Sequence, residues 1–143
     1  MPSLRVLIIE DNPNLLTLLL DALPLLGDFQ VFGATDGREG LLHCEQIQPD
    51  CVVVDVLLPE LNGYQCVRAL GGDPATSQTA IILCTALAEN RDRFVGLACG
   101  ADLYVTKPIL PAELARAIQQ VAARTPTERA AAYLTLVHAQ GTE

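Results

Sequence analysis

The sequence predicts an α/β fold, a doubly wound five-stranded parallel sheet with helices on both faces, and three observations predict it. Apolar runs of strand length alternate five times with longer segments of helical period, the pattern of parallel strands joined by covering helices. The run CVVV is continuous and β-branched rather than alternating, as a central strand buried on both faces requires. Half of the 143 residues are apolar, enough for one well-buried core in a single domain.

Each element has its own local reason. The first strand spans Leu4 to Ile9, and its helix begins after Asn12, a good N-cap, with Pro13 at the first helical position, where a missing N–H costs nothing. That helix runs to about Leu26 and is ended by Gly27. The second strand covers Phe29 to Gly33. Asp36, with Glu39 three residues later, resembles a capping box opening a helix toward Ile47, which Pro49 closes. The third strand is Cys51 to Val54 and ends at Asp55. After a Pro59 to Gly63 loop, a helix reaches Leu70, and Gly71, Gly72 and Pro74 mark a break before the fourth strand, Ala80 to Cys84. Thr85 follows at its end. A helix from about Glu89 to Cys99 stops at Gly100, the fifth strand is Ala101 to Val105, and Pro111 with Glu113 opens a further helix toward Ala123.

These units make one domain over residues 1–124, followed by a C-terminal extension over 125–143. Thr125, Pro126 and Glu128 carry the signature of a helix start, and Ala130, Tyr133, Leu134 and Val137 share one face at helical spacing. The extension is expected to be helical and to pack on its own domain, with dimerisation or docking on a target as the alternatives.

A formal net charge of −8 opposes binding to a phosphate backbone, so direct nucleic-acid binding is not expected. The five cysteines, Cys44, Cys51, Cys66, Cys84 and Cys99, form no C-x-x-C pair and sit mostly in apolar runs, as small core residues in a reducing compartment would. No apolar run approaches the ~20 residues of a membrane span, and the N-terminus lacks a signal-peptide layout. The expected location is the cytoplasm.

In such a sheet, right-handed crossovers bring every strand's carboxyl end to one edge, where ligands bind. The first strand ends in Glu10 and Asp11, the third in Asp55, the fourth in Thr85, and the fifth in Tyr104, Val105, Thr106 and Lys107. Three carboxylates brought together either rise in pKa or are neutralised by a hard cation, and oxygen-only ligands point to Mg²⁺. Magnesium prefers one or two carboxylates together with waters and phosphate oxygens, so phosphoryl transfer is the natural reaction. Lys107, the single lysine beside eight arginines, suits a point contact to a carboxylate or phosphoryl oxygen. Pro108 after it is a candidate for a cis peptide bond that aims the lysine inward.

Glu10-Asp11, Asp55 with Pro59 and Gly63 after it, Thr85-Ala86, Tyr104 and Lys107-Pro108 together resemble the receiver domain of two-component response regulators, of the single-domain chemotaxis-regulator type. The resemblance covers Leu4 to about Arg124. It implies the flavodoxin-like strand order 2-1-3-4-5, and Asp55 as the phospho-acceptor that attacks a phosphohistidine. It further implies Glu10, Asp11, Asp55 and the Val56 backbone carbonyl around Mg²⁺, with Glu10 acting through water, and Thr85 and Lys107 as contacts to phosphoryl oxygens. Thr85 and Tyr104 would form the switch, and the chain would catalyse its own phosphorylation and slow dephosphorylation while serving chiefly in signalling. The implied partners are a sensor histidine kinase or a histidine phosphotransfer protein, and a downstream protein target at the fourth predicted helix, the fifth strand and the fifth predicted helix.

Three positions depart from the family. Leu57 and Leu87 stand two residues after the acceptor and the threonine, where polar side chains often guide hydrolytic water, so a long-lived phosphoryl group is expected. Leu110 replaces a polar N-cap before the last core helix. Among rivals, a haloacid-dehalogenase-type phosphatase needs a second aspartate at Leu57, and a nucleotide binder needs a glycine-rich turn that I-E-D-N-P-N lacks. A receiver-like interaction module that works without phosphorylation is the alternative. With 19 residues beyond Arg124, output is expected through protein contacts.

Overall fold

The computed structural model describes residues 3–73, 76, 78–86, 100–123 and 128. Its elements are β1 (Leu4–Ile9), α1 (Pro13–Leu26), β2 (Phe29–Ala34), α2 (Gly37–Ile47), β3 (Cys51–Asp55), α3 (Gly63–Gly72), β4 (Ala80–Thr85), β5 (Leu103–Thr106) and α4 (Pro111–Ala122). The strands form one parallel sheet in the order β2-β1-β3-β4-β5. This is the doubly wound architecture expected from the alternating pattern, with four helices among the described residues. The predicted helix over 89–99 and, apart from Glu128, the predicted helical extension over 125–143 lie outside the described residues.

Two apolar layers sandwich the sheet, and residue parity in the strands decides which layer each side chain joins. Val6 and Ile8 of β1 and Val53 of β3 pack with Leu19 and Leu23 of α1 and Leu114 and Ile118 of α4. Leu7, Ile9, Val52 and Val54 point the other way, toward Cys44 of α2 and Cys66, Val67 and Leu70 of α3. Both parities of β3 are buried, which is why its sequence is apolar without alternation. Each fully buried leucine or isoleucine contributes about 1.5–3 kcal/mol relative to exposure.

The local signals hold with instructive exceptions. The Asn12 side chain accepts from the N–H groups of Asn14 and Leu15, as an N-cap should. At α2 the box is only half formed: Asp36 Oδ1 accepts from the Glu39 N–H at 2.7 Å, but the Glu39 carboxylate accepts from the Thr35 hydroxyl at 3.1 Å. A full capping box forms instead at α3, where Asn62 and Gln65 exchange bonds of 2.9 and 3.0 Å. The pair N-x-x-Q carries the signal, and the helix runs on through Gly71 and Gly72, which the sequence marks as a break after it. Leu110 provides no side-chain cap for α4.

The fifth strand is a correction, since the sequence places it at Ala101 to Val105 and the structure at Leu103–Thr106. Asp102 explains the shift. Its N–H donates to the Ile81 carbonyl at 2.8 Å and its Oδ2 accepts from the Ile81 N–H at 2.7 Å, so it anchors the start of β4 with its own side chain. Ladder pairing then begins one residue later, with Leu103 opposite Ile82.

Candidate functional site

Parallel strands place their carboxyl ends on one edge, and the predicted site residues meet there. Glu10 continues β1, its N–H donating to the Ala34 carbonyl at 3.0 Å, while Asp55 ends β3. Glu10 and Asp55 are 4% and 7% exposed, so two carboxylates lie almost wholly out of water. Asp11 stands exposed beside them, and one oxygen from each of the three lies within 4.8 Å of the others.

Lys107 reaches this cluster from the segment after β5. Its Nζ donates to Glu10 Oε1 at 2.5 Å and to Asp55 Oδ2 at 2.6 Å, bridging residues 97 and 52 positions away in the chain. The Lys107–Pro108 peptide is cis, as the sequence suggested. The other oxygens are held by backbone: Glu10 Oε2 accepts from the Asn12 N–H at 3.1 Å, and Asp55 Oδ1 from the Leu57 N–H at 2.9 Å. Sequence reasoning missed these two backbone donors, because an N–H group carries no residue-type signature.

Burial pushes the Glu10 carboxyl above its usual value, against the opposing bonds from Lys107 and the Asn12 N–H, and the Asp55 charge adds to the rise. Burial pulls the Lys107 ammonium down, but its hydrogen bonds to Asp55 and Glu10 and their charges outweigh that effect. Its pKa is therefore raised, and the lysine is charged at neutral pH.

Gly63 shows how the helix start is fitted to the site. A Cβ there would lie 2.6 Å from the Asp55 carbonyl oxygen and 2.7 Å from Val56 Cα, so only glycine lets α3 begin against the end of β3. The Gly63 N–H donates to the Val56 carbonyl at 3.0 Å. A carbonyl has two lone pairs, so this bond leaves the oxygen one for a cation. Thr85 ends β4 opposite Thr106, but its side chain lies outside what the structure describes. Tyr104, opposite Leu83, is 6% exposed and packs in the layer toward α3. Leu57 is 56% exposed, and Leu87 lies outside the described residues.

The donors fit magnesium by their chemistry. They are all hard oxygens, and the three carboxylates face a single ammonium.

The response regulator receiver domain family matches residues 6–119. This chain belongs to that family. The receiver is 38% identical over 131 residues to a probable transcriptional regulator, ycf27, of Guillardia theta, a match covering 92% of this chain and 50% of the relative. It superposes on the Vibrio cholerae chemotaxis protein CheY4 with a TM-score of 0.78 at 27% identity, covering 83% of this chain and 98% of the other. A receiver domain of a Pseudomonas aeruginosa sensor histidine kinase, with a magnesium ion coordinated in its active-site cleft, matches with a TM-score of 0.73 at 29% identity. That match covers 85% of this receiver and 99% of the other. The receiver spans about half the length of the curated relatives it matches. No helix among the described residues is long and apolar enough to cross a membrane.

Proposed function

We propose that this receiver is a phosphorylation-dependent switch whose acceptor is Asp55. One observation carries the reading: two buried carboxylates on different strands, Glu10 and Asp55, are bridged by the ammonium of Lys107, with Asp11 alongside. A buried acidic pair has no structural necessity, and replacing such groups with apolar residues is often neutral or stabilising. Its position at a strand-end ligand site points to chemistry.

In the reaction, an Asp55 carboxylate oxygen attacks phosphorus of a phosphohistidine on a sensor kinase or phosphotransfer protein. The P–N bond breaks, and the imidazole leaves with a proton from solvent. The Leu57 N–H fixes one Asp55 oxygen, which orients the other for attack. Lys107 already touches the acceptor, and it stabilises charge on a phosphoryl oxygen as the transfer proceeds. Glu10, Asp11, Asp55 and the Val56 carbonyl would hold Mg²⁺, which supplies neutralisation of phosphoryl charge when bound. Thr85 contacts a phosphoryl oxygen, and Tyr104 repacks with it to change the surface around β5 and α4. Protein partners read that surface, and the transcriptional-regulator relatives make an output on nucleic acid through a further domain equally compatible with this receiver. The domain would extend over 1–124, with 125–143 as an appended segment.

Incubation with acetyl phosphate and Mg²⁺ followed by intact-mass measurement tests the reading. A gain of one phosphoryl group is expected in the parent chain and not in Asp55→Asn. A parent chain that gains nothing would instead be an interaction module acting without phosphorylation.

A further inference from the structure

The layer between the sheet and helices α1 and α4 is not filled to its edge. A cavity of about 350 Å³ opens beside the acidic site, within the range in which proteins hold small ligands. Its inner wall is apolar and buried, formed by Ile8, Leu19, Val53 and Leu114. Its outer wall includes exposed Ala86 and Pro108 and half-buried Leu15, so the space communicates with solvent at the carboxyl edge of the sheet. Interiors are ordinarily packed to crystal density, so this cleft at the edge of the core layer is room that the chain's own side chains leave unfilled.

The rim is acidic on balance. Glu10, Asp55 and Lys107 line the cavity, and Asp11 stands with the same carboxylates, so three carboxylates meet one ammonium. An apolar chamber favours a hydrocarbon, and an acidic rim favours a positive head while disfavouring a negative one. We propose that this cavity is a binding site for a small amphiphilic amine, its hydrocarbon tail against Ile8, Leu19, Val53 and Leu114 and its ammonium at the Glu10 and Asp55 carboxylates. The tail site is separate from the phosphoryl chemistry, while the head shares carboxylates with the proposed cation site. Such a ligand therefore competes with Mg²⁺ and holds the switch unphosphorylated. Only this last consequence rests on the function proposed above.

Titrating the isotopically labelled full chain by NMR with hexylammonium, 1-hexanol and hexanoate tests the assignment. Saturable shifts at Ile8, Leu19, Val53 and Leu114 are expected, with hexylammonium bound about tenfold more tightly than hexanoate and the alcohol between them. Adding Mg²⁺ should weaken the amine and leave the alcohol unchanged. Val53→Ile narrows the chamber and should weaken both amine and alcohol, and Leu15→Phe at the rim serves the same purpose if the first variant fails to fold. Hexanoate binding as tightly as the amine, shifts confined to surface leucines such as Leu18 and Leu25, or no saturation by any probe would each overturn the proposal. Because these readouts need no phosphorylation, a chain that binds the amine but takes no phosphoryl group separates the two readings.

Discussion

Lys107 is the residue on which the site's electrostatics turn, since its ammonium lies between two carboxylates that would otherwise face each other out of water. Lys107→Met leaves Glu10 and Asp55 buried without their counter-ion. Discounted for the lysine's 20% exposure, the expected cost is roughly 1–3 kcal/mol. Urea unfolding without Mg²⁺ measures it, and an unchanged midpoint would contradict the bridging role. The same variant should slow phosphorylation by acetyl phosphate on the order of 10²-fold, the scale on which a preorganised charge acts in a transition state. Leu57 makes a different test. Its N–H orients Asp55 while its side chain points to solvent, so Leu57→Asn keeps the backbone bond and adds a polar group near the acceptor. We expect this variant to shorten the phosphoryl half-life several-fold, as followed by loss of label. A parent half-life of seconds would show that the apolar side chain does not protect the linkage.

At the scale of elements, the join between β3 and α3 sets the acceptor's position. Gly63→Ala pushes a methyl group against the Asp55 carbonyl and Val56 Cα, where backbone rather than a flexible side chain must yield. An overpacking cost of roughly 1–3 kcal/mol is expected, together with slower phosphorylation. Parallel chemical denaturation and acetyl-phosphate assays check it, and an alanine variant matching the parent in both would show that the helix start can move freely. The strand ends also show what local sequence conveys. Asn12 and Pro13 announce α1 because a cap and a preset φ act within a few residues. The start of β5 is not announced, because Asp102 bonds to Ile81 across 21 residues of chain and thereby takes the place of a ladder residue.

For the whole molecule, the buried thiols link stability to alkaline pH. Burial pushes Cys44 up to about 12, and Cys66 and Cys84 to about 11, from an ordinary value of 9.0. Neighbouring negative charge adds to each rise, and Lys107 partly offsets it at Cys84. A folded pKa above the unfolded one gives stability that is intact below pH 9.0 and is lost progressively as pH climbs toward 11 and 12. The thermal midpoint should therefore fall across that window, and thiol reagents at neutral pH should modify Cys44, Cys51, Cys66 and Cys84 only after unfolding. Rapid native-state labelling of these four, located by peptide mapping, would refute their burial.

The alternation of apolar runs with helical segments was sufficient for the five-stranded parallel fold, because crossover handedness leaves few ways to bury such strands. It also named Glu10, Asp11, Asp55 and Lys107, since parallel strands place their carboxyl ends together whatever lies between them. Tertiary structure decided the rest. Which carboxylate oxygens Lys107 and the Asn12 and Leu57 amides engage, how closely Gly63 approaches β3, and the gap left between α1, α4 and the sheet depend on packing between residues far apart in the chain. No periodicity in the sequence records those distances.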